Sequence, residues 1–393
     1  MIRLVGRIKN LRELIRYFLR LPFVGGKLIS TAGWDSFRIQ FKSWMHRFVS
    51  GQLRREIAIR QRERRHEHKT IYSMENADCI REIKEILRAG YLPRRVDDKG
   101  FLDVVVPIYN AYDELLVCLH SVLRHQDIYR VLLLDDCSTD GRVKALLRAL
   151  SEHEQEGFRI EENSQNIGYL KTVNKGMRLV ESDVILLNTD TVVTSGWARK
   201  MRACAYSEDR IATVTPFTNN GGMCSIPEFL KNNEIPEGFT VDSFAECVEK
   251  CSRNCYPELV TAVGFCMYVR RNIIDEIGYF DEVTFEKGYG EEVDFSFRAK
   301  GRGYKNVLCD NTFVFHKGRA SFLETQDALL EKNNKLVAEK YPDLWMAIAL
   351  FERSNPLKGL HDELKAEMRV WNAQSLSGRG LISKSLDEDL IKG

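Results

Sequence analysis

The sequence predicts an α/β fold with a mostly parallel central sheet, and three observations predict it. From Phe101 onward, apolar runs of strand length at 102–106, 131–134 and 184–187 alternate with amphipathic stretches at 112–125, 143–150 and 168–180. Strand then helix, repeated, implies a mostly parallel sheet covered on both faces. The run 184–187, Val-Ile-Leu-Leu, is apolar throughout, as a strand buried on both sides is. It stops abruptly at Asn188-Thr189-Asp190, and a polar tip at the C-terminal end of a strand lies where open α/β sheets bind their ligands.

Taken in order, the chain opens on a basic segment. Residues 1–70 carry 17 Lys or Arg against 5 Asp or Glu, although the net charge of all 393 residues is only +2. Leu4, Ile8, Leu11, Ile15, Phe18 and Leu19 recur at helical spacing beside arginines, and Trp34, Phe37, Phe41, Trp44 and Phe48 follow at steps of three and four. A basic amphipathic helix with interleaved aromatics suits an anionic bilayer surface; the competing reading packs the same stripe on the protein itself or on a second copy, a homo-oligomer. The basic tract carries no nucleic-acid-binding motif, so no nucleic acid is expected as a partner. Residues 71–97 hold a short helical lead-in, and 98–322 the alternating region. After Trp197 the pattern is irregular, with a strand expected near 262–269 and helices from Arg271 and over 291–300. The tail, 323–393, reads as helical at 323–342, 343–353 and 361–371, then loose.

An apolar content of 44% with 29% charged residues is ordinary for a globular chain. No apolar run reaches the roughly 18 residues of a membrane-spanning helix. Ten cysteines without a secretory signal favour a reducing cytosol, so the expected location is cytoplasmic and peripheral on the inner face of the membrane. Cys247, Cys251 and Cys255 recur every four residues and would share a helical face. They read as buried small hydrophobes rather than a thiolate metal site.

The strand tips carry the chemistry. The first exits as Val106-Pro107-Ile108-Tyr109-Asn110, the second as LLLDDCSTDG. A carboxylate at such a tip can accept from the imide N–H of a uracil ring, or simply cap the next helix. The segment Asn166-Ile167-Gly168-Tyr169-Leu170-Lys171 offers a glycine for close backbone approach, but it is not GxGxxG, which argues against a dinucleotide cofactor. Asp190 suits a divalent cation with hard oxygen ligands. Glu291, Glu292 and Asp294 crowd three acids into four positions at a helix start. A helix dipole favours acids there, but crowding also raises at least one pKa toward that of a useful general base. His316, at another strand end, is a candidate metal ligand.

The segments VVVPIYN, LLLDDCSTDG, NIGYLKTVNKG, VILLNTDTVVTSGW, VGFCMYVRR, FDE at 280–282, GYGEEVDFSFR and FHKG follow one another in an order that resembles the family 2 glycosyltransferases. The resemblance covers residues 101–321 and implies a GT-A fold. It implies that Pro107, Tyr109 and Asp136 border a nucleotide base, with Gly168 and Lys171 near base and ribose. Asn188 then reaches the ribose, Gly264 lines the donor-sugar pocket, and Asp190 with His316 forms the metal or diphosphate site for Mg²⁺ or Mn²⁺. Glu292 takes the position of the catalytic base and Glu291 lies next to the acceptor. Two departures stand out: the family's DxD is here Asn188-Thr189-Asp190, and its Glu-Asp pair is here Glu291-Glu292. The implied activity is inverting transfer of a sugar from a nucleotide-sugar donor, UDP-linked by what is usual in the family, to a hydroxyl of a glycan or lipid-linked acceptor. Two other functions compete. A sugar nucleotidyltransferase needs a Gly-rich basic loop after the first strand, where residues 110–119 are instead a helix start. A non-catalytic membrane-surface scaffold needs no acids at 190, 291, 292 and 294.

Overall fold

The structure is a computed structural model that describes residues 76–91, 93, 100–285, 288–318 and 323–371, without the side chains of 323–330. The expectations for residues 1–70 therefore lie outside the described residues. The described residues fall into two compact units, 76–341 with 355–371, and 342–354. The second unit comprises a single described helix, Leu344–Ser354.

The larger unit is built on an eight-stranded sheet. Strand β1 (Leu102–Ile108) is buried along its whole length and runs parallel to β2 (Tyr129–Asp135) on one side and to β4 (Asp183–Leu187) on the other. Beyond β2 lies β3 (Phe158–Glu162), also parallel. Past β4 the sheet becomes mixed. Strand β8 (Cys266–Val269) is antiparallel to both β4 and β6 (Ile211–Phe217), β6 is parallel to β9 (Lys305–Phe313), and β7 (Glu258–Leu259) closes the edge antiparallel. The order is β3-β2-β1-β4-β8-β6-β9-β7. A separate two-residue antiparallel pair joins β5 (Thr191–Val192) to β10 (Phe315–His316).

The helices are α1 (Asn76–Arg88), α2 (Tyr112–Arg124), α3 (Gly141–Ser151), α4 (Tyr169–Leu179), α5 (Trp197–Ala205), α6 (Val241–Cys251), α7 (Arg271–Ile277), α8 (Glu291–Gly301) and α9 (Leu323–Lys340), followed by helical residues 358–371. Pro107 sits inside an interior strand, where a missing N–H usually breaks a ladder. It is tolerated because β4 pairs with β1 only as far as Val105. The carbonyl of Ile108 accepts from Asp136 on the β2 side, so the edge at Pro107 faces the region beyond β4's pairing.

Several elements differ from expectation, each for a physical reason. The polar residues of β6 are satisfied inside the core by neighbouring segments: Thr213 Oγ1 donates to Asn306 Oδ1 of β9 at 2.8 Å, and Thr215 Oγ1 accepts from the Val263 N–H at 3.2 Å. An apolar-run search passes over such a strand. Strand β3, Phe-Arg-Ile-Glu-Glu, lies at the sheet edge, where charge is tolerated. The strand expected over 262–269 begins only at Cys266, because the N–H groups of Ala262 and Val263 go to Ser296 and Thr215 side chains instead of a ladder. The three-cysteine face is cut to two. Helix α6 ends at Cys251, and Cys255 lies in an exposed turn whose backbone is held by Asp310.

Helix α4 carries the loop that faces the site, and it packs on β1 through Gly176, where an added Cβ would lie 2.5 Å from Val105 Cγ1. Gly176→Ala is expected to lower stability by about 1–3 kcal/mol through overpacking. Gly141→Ala, which meets nothing within 4 Å, should be near neutral; urea unfolding of the two variants makes the comparison.

Candidate active site

The tips of β1 and β2 are tied together by side chains. Asn110 Oδ1 accepts from the N–H groups of Thr139 and Asp140, both at 2.8 Å, and the Asn110 N–H donates to Ser138 Oγ. That clamp holds Asn110 and Ala111 at φ 57° and 53°, and it leaves Tyr109 exposed above the sheet. Asp136 is 3% exposed. Its Oδ1 accepts from Asn163 Nδ2 at 2.9 Å and Ile167 N–H at 2.8 Å, and its Oδ2 from Gly168 N–H at 2.8 Å. The carboxylate is thus engaged in shaping the 163–168 loop rather than waiting for a ring N–H. Gly168 sits at φ 87°, a left-handed conformation that favours glycine, and caps α4; Lys171 is exposed one turn on.

The β4 tip is built around one ion pair. Asp190 Oδ2 lies 3.3 Å from His316 Nε2, and His316 Nδ1 lies 2.6 Å from the Asn220 carbonyl. Both ring nitrogens donate in this arrangement, so the ring is the imidazolium. Burial works against charge on His316, but its hydrogen bond and attraction to Asp190 outweigh it and raise the pKa. Burial likewise opposes ionisation of Asp190, yet His316, with Lys317 behind it, holds the carboxyl below its ordinary range. The His316 ring stacks on Phe265, with centroids 5.0 Å apart at 18°. Its backbone is gripped by Asn219, which accepts from the His316 N–H at 2.8 Å and donates to its carbonyl at 3.1 Å. The Asn188 N–H donates to the Phe265 carbonyl at 2.9 Å, which sets Gly264 beside the tip with open space where a Cβ would be. Beneath the tip, burial pushes the Cys118 thiol up to about 12, so it stays protonated.

Helix α8 supplies the acids, and it separates them. Glu291 is 7% exposed, and its Oε2 has no hydrogen-bond partner. Burial and then the charge of Glu292 push it well above the ordinary glutamate range. Glu292 is half-buried; burial raises it, while backbone N–H groups, including that of Gly290 at 3.3 Å, pull it back. Both members of this coupled pair are pushed up, and Glu291 is the less exposed of the two. Asp294, expected with them as a catalytic acid, is fully buried and pointed elsewhere. Arg298 Nε lies 2.8 Å from Oδ2, and Lys340 Nζ and Tyr341 Oη lie 2.6 and 2.7 Å from Oδ1. With both oxygens engaged by donors, Asp294 ties α8 to the end of α9.

Tyr169, the first residue of α4, is where these parts meet. Its hydroxyl donates to Asn188 Oδ1 at 3.2 Å. Its ring edge and Glu291 Oε1 both lie 3.8 Å from the position a Cβ on Gly288 would take. Burial and then the charges of Glu291, Glu292 and Asp190 all push its hydroxyl up. The structure thus brings Asn188, Asp190, His316, Glu291 and Glu292 to one place. Pro107, Tyr109, Asp136 and Gly168 form a neighbouring group joined to them through the start of α4. Tyr169, Asn219, Asn220 and Phe265 are residues of this site that motif reading passed over. The Asn219-Asn220 pair, in an otherwise apolar surrounding, was the available signal.

The arrangement fits a divalent cation. One carboxylate oxygen and one imidazole nitrogen face each other, and the ring is already oriented through its far nitrogen, as metal-bound histidines are. Among the described residues no group of three or more His, Cys, Asp or Glu forms a complete cage. The remaining ligands would be phosphate oxygens and water.

Residues 103–278 match the sequence profile described as Glycosyl transferase family 2. Among curated proteins the chain is similar to "Glycosyltransferase AglE" of Haloferax volcanii, at 22% identity over 226 residues, 56% of this chain and 67% of the relative. Two solved structures are also similar. GalNAc-T7 with UDP, GalNAc and Mn²⁺ matches at 15% identity and TM-score 0.48, covering 69% of this chain and 55% of that one. The mannosyltransferase PcManGT from Pyrobaculum calidifontis, in complex with GDP-Man and Mn²⁺, matches at 14% identity and TM-score 0.45, covering 78% and 87%. The chain thus spans about half the length of the first of these structures.

The placement of Asp294 is testable. Asp294→Ala leaves two cations facing a buried gap and should destabilise by about 3–5 kcal/mol in urea unfolding, while the folded fraction still binds nucleoside diphosphate. Unchanged stability would contradict that tie.

Proposed function

We propose that this protein is an inverting, metal-dependent glycosyltransferase. It moves a sugar from a nucleotide-diphosphate donor, UDP-linked in the first instance, to a hydroxyl of a glycan or lipid-linked glycan. The observation that carries the reading is the meeting of the Asp190–His316 pair with the Glu291–Glu292 pair at Tyr169. One pair can hold a cation under a diphosphate, and the other faces the space in front of it.

The chemistry follows from where the charges sit. Asp190 and His316 would hold Mg²⁺ or Mn²⁺, which would supply Lewis-acid neutralisation of the departing diphosphate. His316 must release its Nε2 proton to ligate, and the Asn220 carbonyl keeps the ring in the matching tautomer. Asn188, oriented by Tyr169, lies on the ribose side. Pro107, Tyr109 and the loop shaped by Asp136 and Gly168 border the base, with exposed Lys171 beside it, and Gly264 leaves room for the donor sugar. Glu292 takes the proton of the acceptor hydroxyl as that oxygen forms its bond to the anomeric carbon. The bond from that carbon to the phosphate oxygen breaks, and the diphosphate leaves with the electron pair. A single displacement on the opposite face inverts the configuration. Glu291, its pKa pushed up by burial and by Glu292, presents an unpartnered oxygen beside the base and can bind the acceptor.

A membrane-proximal acceptor is supported by the basic amphipathic composition of residues 1–70. No described helix is long and apolar enough to cross a membrane.

Asp190→Ala is expected to abolish metal-dependent turnover with the fold retained; full turnover in excess Mn²⁺ would refute the metal assignment. Glu292→Gln should bind donor normally and transfer about 10²- to 10⁴-fold more slowly. A dead Glu291→Gln beside an active Glu292→Gln would reverse the assignment of the base. Because Glu292 works only when ionised and its pKa is raised, kcat/KM should fall as pH drops through a midpoint above 4.5, the ordinary value. An acid limb at or below that value contradicts the burial argument.

A further inference from the structure

We propose that Tyr169 is a positioning residue of the donor site, fixing the side-chain amide of Asn188. The inference rests on the reading of the site as a nucleotide-sugar pocket.

The geometry is specific. Tyr169 follows Gly168, whose N–H is pinned by Asp136, so the Tyr169 backbone is set by the loop at the tips of β1 and β2. Its hydroxyl reaches across to Asn188 on the tip of β4 and donates to the amide oxygen at 3.2 Å. An asparagine amide has two orientations that exchange its donor and acceptor ends. A donor fixed on Oδ1 selects one of them and turns the NH₂ away from Tyr169. Burial and three nearby carboxyls keep the phenol protonated, so its proton stays available to Asn188 Oδ1 across working pH. Asn188 stands where the related motif carries an acid, and an acid needs no such selection. The tyrosine hydroxyl supplies an orientation that the Asn188 substitution makes necessary. On its other side, the Tyr169 ring edge stands as close to the Gly288 position as Glu291 Oε1 does. The ring and the Glu291 carboxyl thus flank the same backbone position, Gly288.

The two parts separate by substitution. In Tyr169→Phe the ring stays and the hydroxyl goes. Donor KM and the Kd for nucleoside diphosphate with Mn²⁺, read by calorimetry, should rise about 5- to 30-fold, with kcat within about twofold and thermal stability unchanged, the range expected for one lost orienting hydrogen bond. Tyr169→Leu removes ring and hydroxyl together and should weaken donor binding at least as much. If Tyr169 acts through Asn188, the double variant Tyr169→Phe, Asn188→Ala binds no more weakly than Asn188→Ala alone. Wild-type protein that binds no nucleoside diphosphate or nucleotide sugar overturns the transferase reading and this inference with it. Wild-type binding that Tyr169→Phe leaves unchanged, or losses that simply add in the double variant, overturn this inference alone.

Discussion

The site depends on a very short piece of antiparallel pairing. Thr191 and Val192 meet His316 and Phe315, and a further backbone bond runs from the Lys317 N–H to the Asp190 carbonyl at 2.9 Å. These few bonds bring the ends of two distant stretches of chain within reach, and only then can Asp190 and His316 form a pair. The pair is not left to two flexible side chains. Asn219 fixes the His316 backbone, Asn220 fixes the ring's far nitrogen, and Phe265 fixes its plane. Without a cation, the imidazolium neutralises Asp190 in a half-buried place where a bare carboxylate would be costly. Histidine is suited to this, since it can give up the Nε2 proton when another positive charge arrives.

Across the pocket the opposite arrangement holds. Among the described residues no donor meets Glu291 Oε2, and burial pushes the carboxyl's pKa up. The third acid of the same helix turn, Asp294, is surrounded by Arg298, Lys340 and Tyr341 and ties the helix in place. The carboxyls of α8 are distinguished by what faces them: two cations and a hydroxyl for Asp294, each other for Glu291 and Glu292. Helix α9 takes part in this sorting. Lys340 holds Asp294, and Asn333 donates to the Gly288 carbonyl at 2.7 Å just ahead of Glu291. The C-terminal extension is thus part of what aims the acids.

Much of this was legible in the chain, and what was not has identifiable causes. The strands at 102–106, 131–134 and 184–187 announced themselves because a strand buried on both faces must be apolar, and the polar tips that follow them had to be at the ligand edge. Asp190 and His316 could be picked from strand ends, although spacing alone could not say that they touch. Strand β6 was hidden because its threonines are satisfied in the core by Asn306 and the Val263 N–H rather than by apolar packing. The partners of Asp294 were not legible because three acids at a helix start look alike in sequence. Which of them meets Lys340 is decided by α9, far downstream. Tyr169 was overlooked because a tyrosine opening a helix is unremarkable until its hydroxyl is seen to reach Asn188.

The central claim is that a cation site and a base site share one pocket. The most direct measurement is a crystal structure with a nucleotide sugar and Mn²⁺, the metal located by its anomalous scattering. The account predicts the metal peak between Asp190 and His316 with the diphosphate upon it, His316 still bonded through Nδ1 to the Asn220 carbonyl, and the Glu292 carboxylate across the sugar from the phosphate. A metal peak away from Asp190, or a Glu292 facing a surface other than the one that holds the sugar, would contradict it.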